Sequence, residues 1–335
     1  MEFSKSGINP GINRVLFVSE QPLQDEQGLF EWALALAANA GAALKVVRVL
    51  PAISPGLSAW LRHTTPLSLQ QEQQAVQLQD LAAWRKQAEE TQVEASFEVL
   101  FGKLFFSVME QVAQFKPDLV IKQIEPHANS KVVLLGSQDQ HLLRKCSAPL
   151  LLHKFQTPSG LPYSQVAAAI DVEMDYDRLL DNERIEKNAQ KEGIAPTLNA
   201  KILAWAQYLA PQQGIAVVHA WESEAENLVY HWNTDWSEVE LQLFKEKERS
   251  LRTEVLHKEI RRYAQGDLQI QTFLPYGVPD EAVVGWLKSH QTELLVMGTV
   301  GRSGISGWLI GNTAEEILQQ VNCSVLAIKP SGFKV

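Results

Sequence analysis

The strongest constraint on this chain is that it writes one unit twice. Displaced by 175 positions, Gly102 falls on Gly277, Asp118 on Glu293, Gly136 on Gly311 and Lys154 on Lys329, without a gap. Earlier segments need smaller displacements, so the second copy carries extra residues, most of them between Asp171 and Thr197. That stretch is rich in charge and amide side chains. It reads either as a partly helical surface excursion over the mouth of a site or as a solvated loop without a role.

Periodicity gives each copy the same order of elements. In the first, "RVLFVSE" (Arg14 to Glu20) reads as a buried strand and "GLFEWALALAANAG" (Gly28 to Gly41) as a helix ending on glycine. "ALKVVRVL" (Ala43 to Leu50) is a strand, and a long polar helix is expected over Leu67 to Thr91. Then come strand Val93 to Leu100, helix Leu104 to Phe115, strand Asp118 to Ile124, a short helix after Gly136 and strand Ala148 to Lys154. The second copy repeats this with strand Val166 to Asp171, helix Leu198 to Leu209 and strand Gly214 to Trp221. A long charged helix is expected over Asp235 to Gln265, then strand Leu268 to Gly277, helix Pro279 to His290 and strand Glu293 to Val300. After the loop, "CSVLAIKP" (Cys323 to Pro330) closes the sheet. Strands alternating with helices imply right-handed crossovers and parallel sheets. The fold class is therefore α/β, with two tandem five-stranded, Rossmann-like parallel-sheet domains. The join falls in "FQTPSGLPYSQ" (Phe155 to Gln165), which sets the domains at 1–158 and 159–335, each expected to bury its own core.

Bulk properties narrow the function. A length of 335 residues fits two domains. The net charge of −9 and the absence of a dense Lys/Arg block argue against nucleic acid as a partner. No apolar run reaches the roughly 18–20 residues of a membrane span. The first residues do not read as a secretory signal. Cys146 and Cys323 lack metal-type spacing and read as buried, inert thiols. Together these features place the chain in the cytoplasm.

The chemistry concentrates in "VMGTVGRSGISGWLIGNTAEEIL" (Val296 to Leu318). In an open parallel sheet, ligands sit beyond the carboxyl ends of the strands, where the strand order reverses. Here that point lies between Asp171, ending the first strand of the second copy, and Gly298, ending the fourth. Gly298 and Gly301 would let the backbone turn sharply and approach a ligand without a Cβ in the way. Gly311 precedes a helix whose first amides are unpaired, and Asn312 and Thr313 could add donors to phosphate oxygens. Arg302 lies in the loop, where it could meet a phosphate or simply face water. The spacing is neither a P-loop nor the dinucleotide glycine fingerprint.

The first copy differs where it matters. Gln123 faces Gly298, Pro126 faces Gly301 and Glu20 faces Asp171. Glycines required only by fold geometry would be needed in both copies, so a ligand is expected in the second. The back half of the motif survives in both: Thr313 with Glu316, and Ser137 with Gln140, have capping-box spacing. His219 reads as a core histidine. Trp221, Trp232 and Trp236 read first as packing and second as a lid or partner surface. Lys122 could anchor another anion, but a lysine at a strand end usually reaches solvent.

On the Gly-x2-Gly-x9-Gly spacing and on "LLVMGTVGR" and "LLRKCSAPLLLHK", the chain resembles the universal stress proteins in their tandem form. The resemblance covers nearly the whole chain, although Asn312 stands where the family has Ser or Thr. It implies a role in surviving stress and an adenine nucleotide, ATP or a relative, with Mg²⁺ as a candidate companion. It places Asp171 beside the adenosine and Ala220 at the adenine. Gly298, Gly301, Gly311, Asn312 and Thr313 then surround the ribose and phosphates, with Met297 and Arg302 as further candidate binding residues. The alternative is a ligand-independent stress scaffold.

No nucleophile elbow, metal-ligand set or carboxylate pair marks a catalytic group, so at most weak ATP hydrolysis is expected. The last strands, "APLLLHK" and "SVLAIK", are short apolar edges and would be aggregation liabilities if bare. They are expected to pair within one chain, giving a monomer that imitates a dimer, and two chains could associate further.

Overall fold

The computed structural model describes residues 10–52, 66–124, 136–154, 163–172, 197–210, 214–232, 236–263, 269–299 and 310–333. The first half runs β1 (Arg14–Ser19), α1 (Leu23–Ala40), β2 (Ala43–Leu50), α2 (Pro66–Asp80), α3 (Ala82–Glu90), β3 (Ala95–Phe101), α4 (Leu104–Phe115), β4 (Leu119–Ile124), α5 (Ser137–Lys145) and β5 (Leu150–Lys154). The second runs β6 (Val166–Ala169), α6 (Leu198–Leu209), β7 (Ile215–Val218), α7 (Glu224–Trp232), α8 (Glu238–Tyr263), β8 (Ile270–Phe273), α9 (Pro279–Ser289), β9 (Leu294–Gly298), α10 (Asn312–Gln320) and β10 (Ser324–Ile328).

Local chemistry explains most of these boundaries. Gly41 ends α1 in the left-handed conformation at φ 65°, and its amide returns to the last turn of the helix. Thr197 starts α6 with its hydroxyl accepting from the Ala200 amide at 3.2 Å. Pro279 opens α9, where its missing N–H costs nothing.

Two expectations are corrected. The polar helix of the first half is interrupted at Leu81, a fully buried residue that turns α2 into α3. The long helix of the second half is preceded by a separate helix, α7, whose residues were too mixed in polarity to be read as one.

The ten strands of the described residues form one sheet in the order β3-β2-β1-β4-β5-β10-β9-β6-β7-β8. Every pairing is parallel except that of β5 with β10, where Leu151 opposes Leu326. The two apolar edges thus pair within the chain, as the edge chemistry predicts. The join lies mostly outside the described residues. The apolar layer on each face of the sheet is continuous across the seam and draws residues from both halves. In one layer, Phe30 stacks on Trp84 at 4.3 Å and Phe17 meets Trp84 edge-on at 5.6 Å. Burying such rings contributes about 1.5–3 kcal/mol each.

Two lysines lock the antiparallel seam reciprocally. Lys154, ending β5, donates to the carbonyl of Val321, which caps α10. Lys329, just past β10, donates to the carbonyl of Leu143 in the last turn of α5 at 2.5 Å. A cation at a helix C-terminus satisfies carbonyls that the helix itself leaves open. Cys146 and Cys323 are buried free thiols beside these lysines. Burial raises each thiol to about 11, as inert core cysteines require.

Candidate functional site

The antiparallel seam points the carboxyl ends of the two halves' strands to opposite edges of the sheet. Each half has a crevice where its first and fourth strands pair, between β1 and β4 and between β6 and β9.

In the second crevice, β6 ends at Ala169 opposite Met297. Asp171 follows with its side chain 64% exposed, and its Oδ1 lies 3.9 Å from His219 Nδ1. The backbone carbonyl of Asp171 accepts from Asn199 Nδ2 at 2.7 Å, tying this loop to α6. His219 is buried, and its Nδ1 lies 3.2 Å from the Ile170 carbonyl. That contact assigns the proton to Nδ1, because only an N–H can satisfy a carbonyl. His219 is therefore the core histidine its strand position suggests. Ala220 follows it, half-buried. Met297 is buried in the apolar layer that also holds Ile317 and Leu318 of α10.

Gly298 has a reason the sequence did not reveal. It lies in strand conformation, so no turn requires it. A Cβ there would stand 2.6 Å from Leu198 Cδ2, so the space Gly298 leaves is taken by the first residue of α6. Gly301 and Arg302 lie outside the described residues. Beyond them, Gly311 has φ −62° and ψ 144°, and α10 starts at Asn312 with no side-chain cap bonded to it. This corrects the capping box: Thr313 sits inside the helix, and glycine occupies the cap. The same holds for Gly136 and Ser137 in the first half. Asn312 and Thr313 are exposed at this uncapped start. The structure thus places Asp171, Ala220, Gly298 and the start of α10 at or beyond the carboxyl ends of the adjacent strands β6, β7 and β9, with Met297 buried in β9. Asn312→Pro places proline at the first helical position, which suits both its φ and the extended Gly311 before it.

Sequence reading missed Thr299. It is fully buried, its carbonyl accepts from the Gly311 amide at 3.0 Å and its amide donates to the Ile328 carbonyl at 3.2 Å. Its hydroxyl has no hydrogen-bond partner among the described residues. The comparison that singled out the glycines could have found it, because Ile124 stands opposite Thr299 in the first half.

The first crevice is sealed by charge. Lys122 is 2% exposed, so it does not reach solvent as expected. Its ammonium lies 3.1 Å from both Glu20 Oε2 and Asp139 Oδ1. It also donates to the Gln123 carbonyl at 3.1 Å. Burial opposes its charge, but Asp139 and Glu20 outweigh burial and hold its pKa above the usual lysine value. Burial raises Asp139, and Lys122 draws it back only in part. Gln123 donates from Nε2 to the Asp25 carbonyl at 3.2 Å, closing the space opposite Gly298. Deeper in, the buried Glu26 carboxylate accepts from the Glu20 and Gln21 amides at 3.1 and 3.2 Å and from the Ser19 hydroxyl. Arg48 supports this loop through Ser19 Oγ at 2.7 Å and the Gln21 carbonyl at 2.8 Å. Loop amides that could have received an external anion are thus given to an internal one.

The tryptophans divide. Trp221 is buried, meets Tyr276 edge-on at 5.0 Å and lies under the Arg252 guanidinium at 5.5 Å. Trp236 is 43% exposed and packs only partly, with Phe244 at 5.4 Å. The side chain of Trp232 lies outside what is described. No helix among the described residues is long and apolar enough to cross a membrane.

A duplicated α/β half with glycine-spaced sequence between β9 and α10 defines a class, and comparison with known proteins agrees. The chain belongs to the universal stress protein family, whose sequence model matches it twice, over residues 12–154 and 195–329. It is 25% identical over 327 residues to universal stress protein E of Salmonella typhi, covering 95% of each chain. To universal stress protein E of Escherichia coli K12 it is 26% identical over 240 residues, covering 70% of this chain and 68% of that one. Among solved structures, a functionally unknown protein from Pseudomonas aeruginosa superposes with a TM-score of 0.64 at 20% identity, covering 97% of this chain and 95% of the other. A universal stress protein from Archaeoglobus fulgidus superposes at 0.57 and 14% identity, over 95% and 98%. These structures share the fold.

Proposed function

We propose that this stress-response protein is regulatory and that its second half takes up an adenine nucleotide, ATP or a close relative, between β6 and β9. The observation that carries this reading is the inequality of the two crevices. The first is sealed by Lys122 and its two carboxylates, whereas the second has Met297 and Ala314 at the positions of Lys122 and Asp139 and leaves Asp171 exposed; the uncapped helix start is common to both halves. The open end of α10 supplies amides and partial positive charge for a phosphate. In this reading the exposed Asp171 carboxylate accepts from ribose hydroxyls. Mg²⁺, where it accompanies ATP, is brought by the nucleotide's phosphates. The same chain is proposed to act in the cytoplasm as two domains, 1–158 and 159–335, with a homodimer as a further level of assembly.

Leu198 over Gly298 favours a second reading, a scaffold without ligand, because it gives that glycine a purely structural use. Calorimetric titration with ATP, with and without Mg²⁺, separates the two. Saturable binding that weakens about tenfold in Asn312→Pro, equivalent to about 1.4 kcal/mol, supports the nucleotide. That variant deletes the backbone amide and the side-chain carboxamide of Asn312 and leaves the helix start intact. No binding at millimolar ATP leaves the scaffold.

A further inference from the structure

The seam packs twice, and its two sides differ. The WA pairs Trp32–Ala33 and Trp205–Ala206, together with Gly41 and Gly214, place Trp32 opposite Trp205. The strand pairings β1–β4 and β6–β9 place Ile12 opposite Tyr163, and the displacement of 175 places His153 opposite Ile328. On one side, the Trp32 ring meets the Tyr163 ring at 5.9 Å, and the Tyr163 hydroxyl lies 2.8 Å from His153 Nδ1. Tyr163 is fully buried there, and the space is filled. On the other side, isoleucines replace both Tyr163 and His153, and a cavity of about 840 Å³ lies beside Trp205. That volume suits a small organic ligand.

The hollow side also carries charge that the filled side lacks. Lys116, Lys201 and Arg262 line the cavity. The first two correspond to Gln291 and Gly28 on the filled side. Lys116 and Gln291 both hold left-handed backbone after a helix, at φ 50° and 49°, so the correspondence is structural. Among the described residues, no carboxylate forms an ion pair with these three cations. Asp118 also lines the cavity, but its Oδ2 is engaged by the Asn13 and Arg14 amides at 2.8 and 3.0 Å. Lys329 directs its ammonium to the Leu143 carbonyl instead. Burial pulls the Lys201 ammonium below the usual lysine pKa, and among the described residues its Nζ meets only the distant Lys329 carbonyl at 3.5 Å. Trp205, Ala204, Pro117, Pro149 and Tyr263 supply apolar walls.

We propose that this cavity binds an organic anion, with a phosphate, sulfonate or carboxylate head held by Lys116, Lys201 and Arg262 and an apolar or aromatic body against Trp205 and the prolines. Its lining includes none of the residues assigned to the second crevice, so it is independent of the nucleotide reading.

The probe is 8-anilinonaphthalene-1-sulfonate, titrated by fluorescence into the full chain. The expected result is one saturable site per chain, weakened by added salt and displaced by inorganic pyrophosphate. Lys201→Glu and Lys116→Glu should each weaken it by about tenfold. Ala204→Trp, which fills the cavity, should abolish it while the melting temperature is retained. If Ala204→Trp does not fold, the two charge reversals carry the test, since both positions are at least partly exposed. Absence of saturable binding overturns the proposal, as does binding unchanged in both charge reversals. Binding lost in Asn312→Pro instead would place the dye in the crevice and overturn it equally.

Discussion

Lys122→Met is expected to lower the stability of the folded chain by about 3–5 kcal/mol at pH 7, the usual cost of removing one partner of a buried ion pair. The loss arises because Asp139, buried and already displaced upward in pKa, is left facing Glu20 without its cation. Acidification should shrink the deficit, because protonation of Asp139 removes the uncompensated charge. The second half offers the repair. Met297 occupies the position of Lys122 there, and Ala314 that of Asp139. The double variant Lys122→Met/Asp139→Ala copies that arrangement and should recover most of the loss, as apolar replacement of buried pairs often does. Urea midpoints at pH 5 and pH 7 provide the measurement. A single variant as stable as the parent at pH 7 would show that the triad contributes nothing.

The seam lysines make stability depend on alkaline pH in a specific shape. Burial lowers Lys154 and Lys329 to about 8 from 10.5, so between these values the unfolded chain binds more protons and stability rises with pH. From pH 8 to 9 the two together should add about 2 kcal/mol. Cys146 and Cys323 act in the opposite sense. Burial lifts each to about 11 from 9.0, so above pH 9 the unfolded chain releases thiol protons that the folded chain keeps. The climb should therefore slow above pH 9 and level off near pH 10. Replacing both lysines by methionine should flatten the rise, and replacing both cysteines by alanine should prolong it. Denaturant midpoints taken every half pH unit resolve the two contributions, and a flat profile from pH 8 to 9 in the parent protein counts against this account.

Much of this architecture was legible because it rests on short-range periodicity. Strands β1, β4 and β9 are apolar runs, α1 closes on Gly41, and the edge pairing of β5 with β10 follows from two short apolar strands that need cover. The proposed site was suggested at Asp171, Gly298 and Gly301 because the two copies differ there, with Glu20, Gln123 and Pro126 opposite them. What escaped depends on contacts between residues far apart in the chain. Nothing near Lys122 announces that Glu20 and Asp139 will meet it. Leu198 reaches Gly298 across a hundred positions, and no local pattern encodes that. The break at Leu81 reflects a side chain drawn into the core where helical propensity alone would run on.

Fusing the two halves has a consequence that two separate subunits could not share. A pair of identical chains would place every seam residue on both sides of its axis, so a tyrosine that plugs one hollow would plug the other. Joined in a single polypeptide, Tyr163 and Ile12 can diverge independently, as can His153 and Ile328. One flank can then serve purely as mortar while its twin is free to specialise.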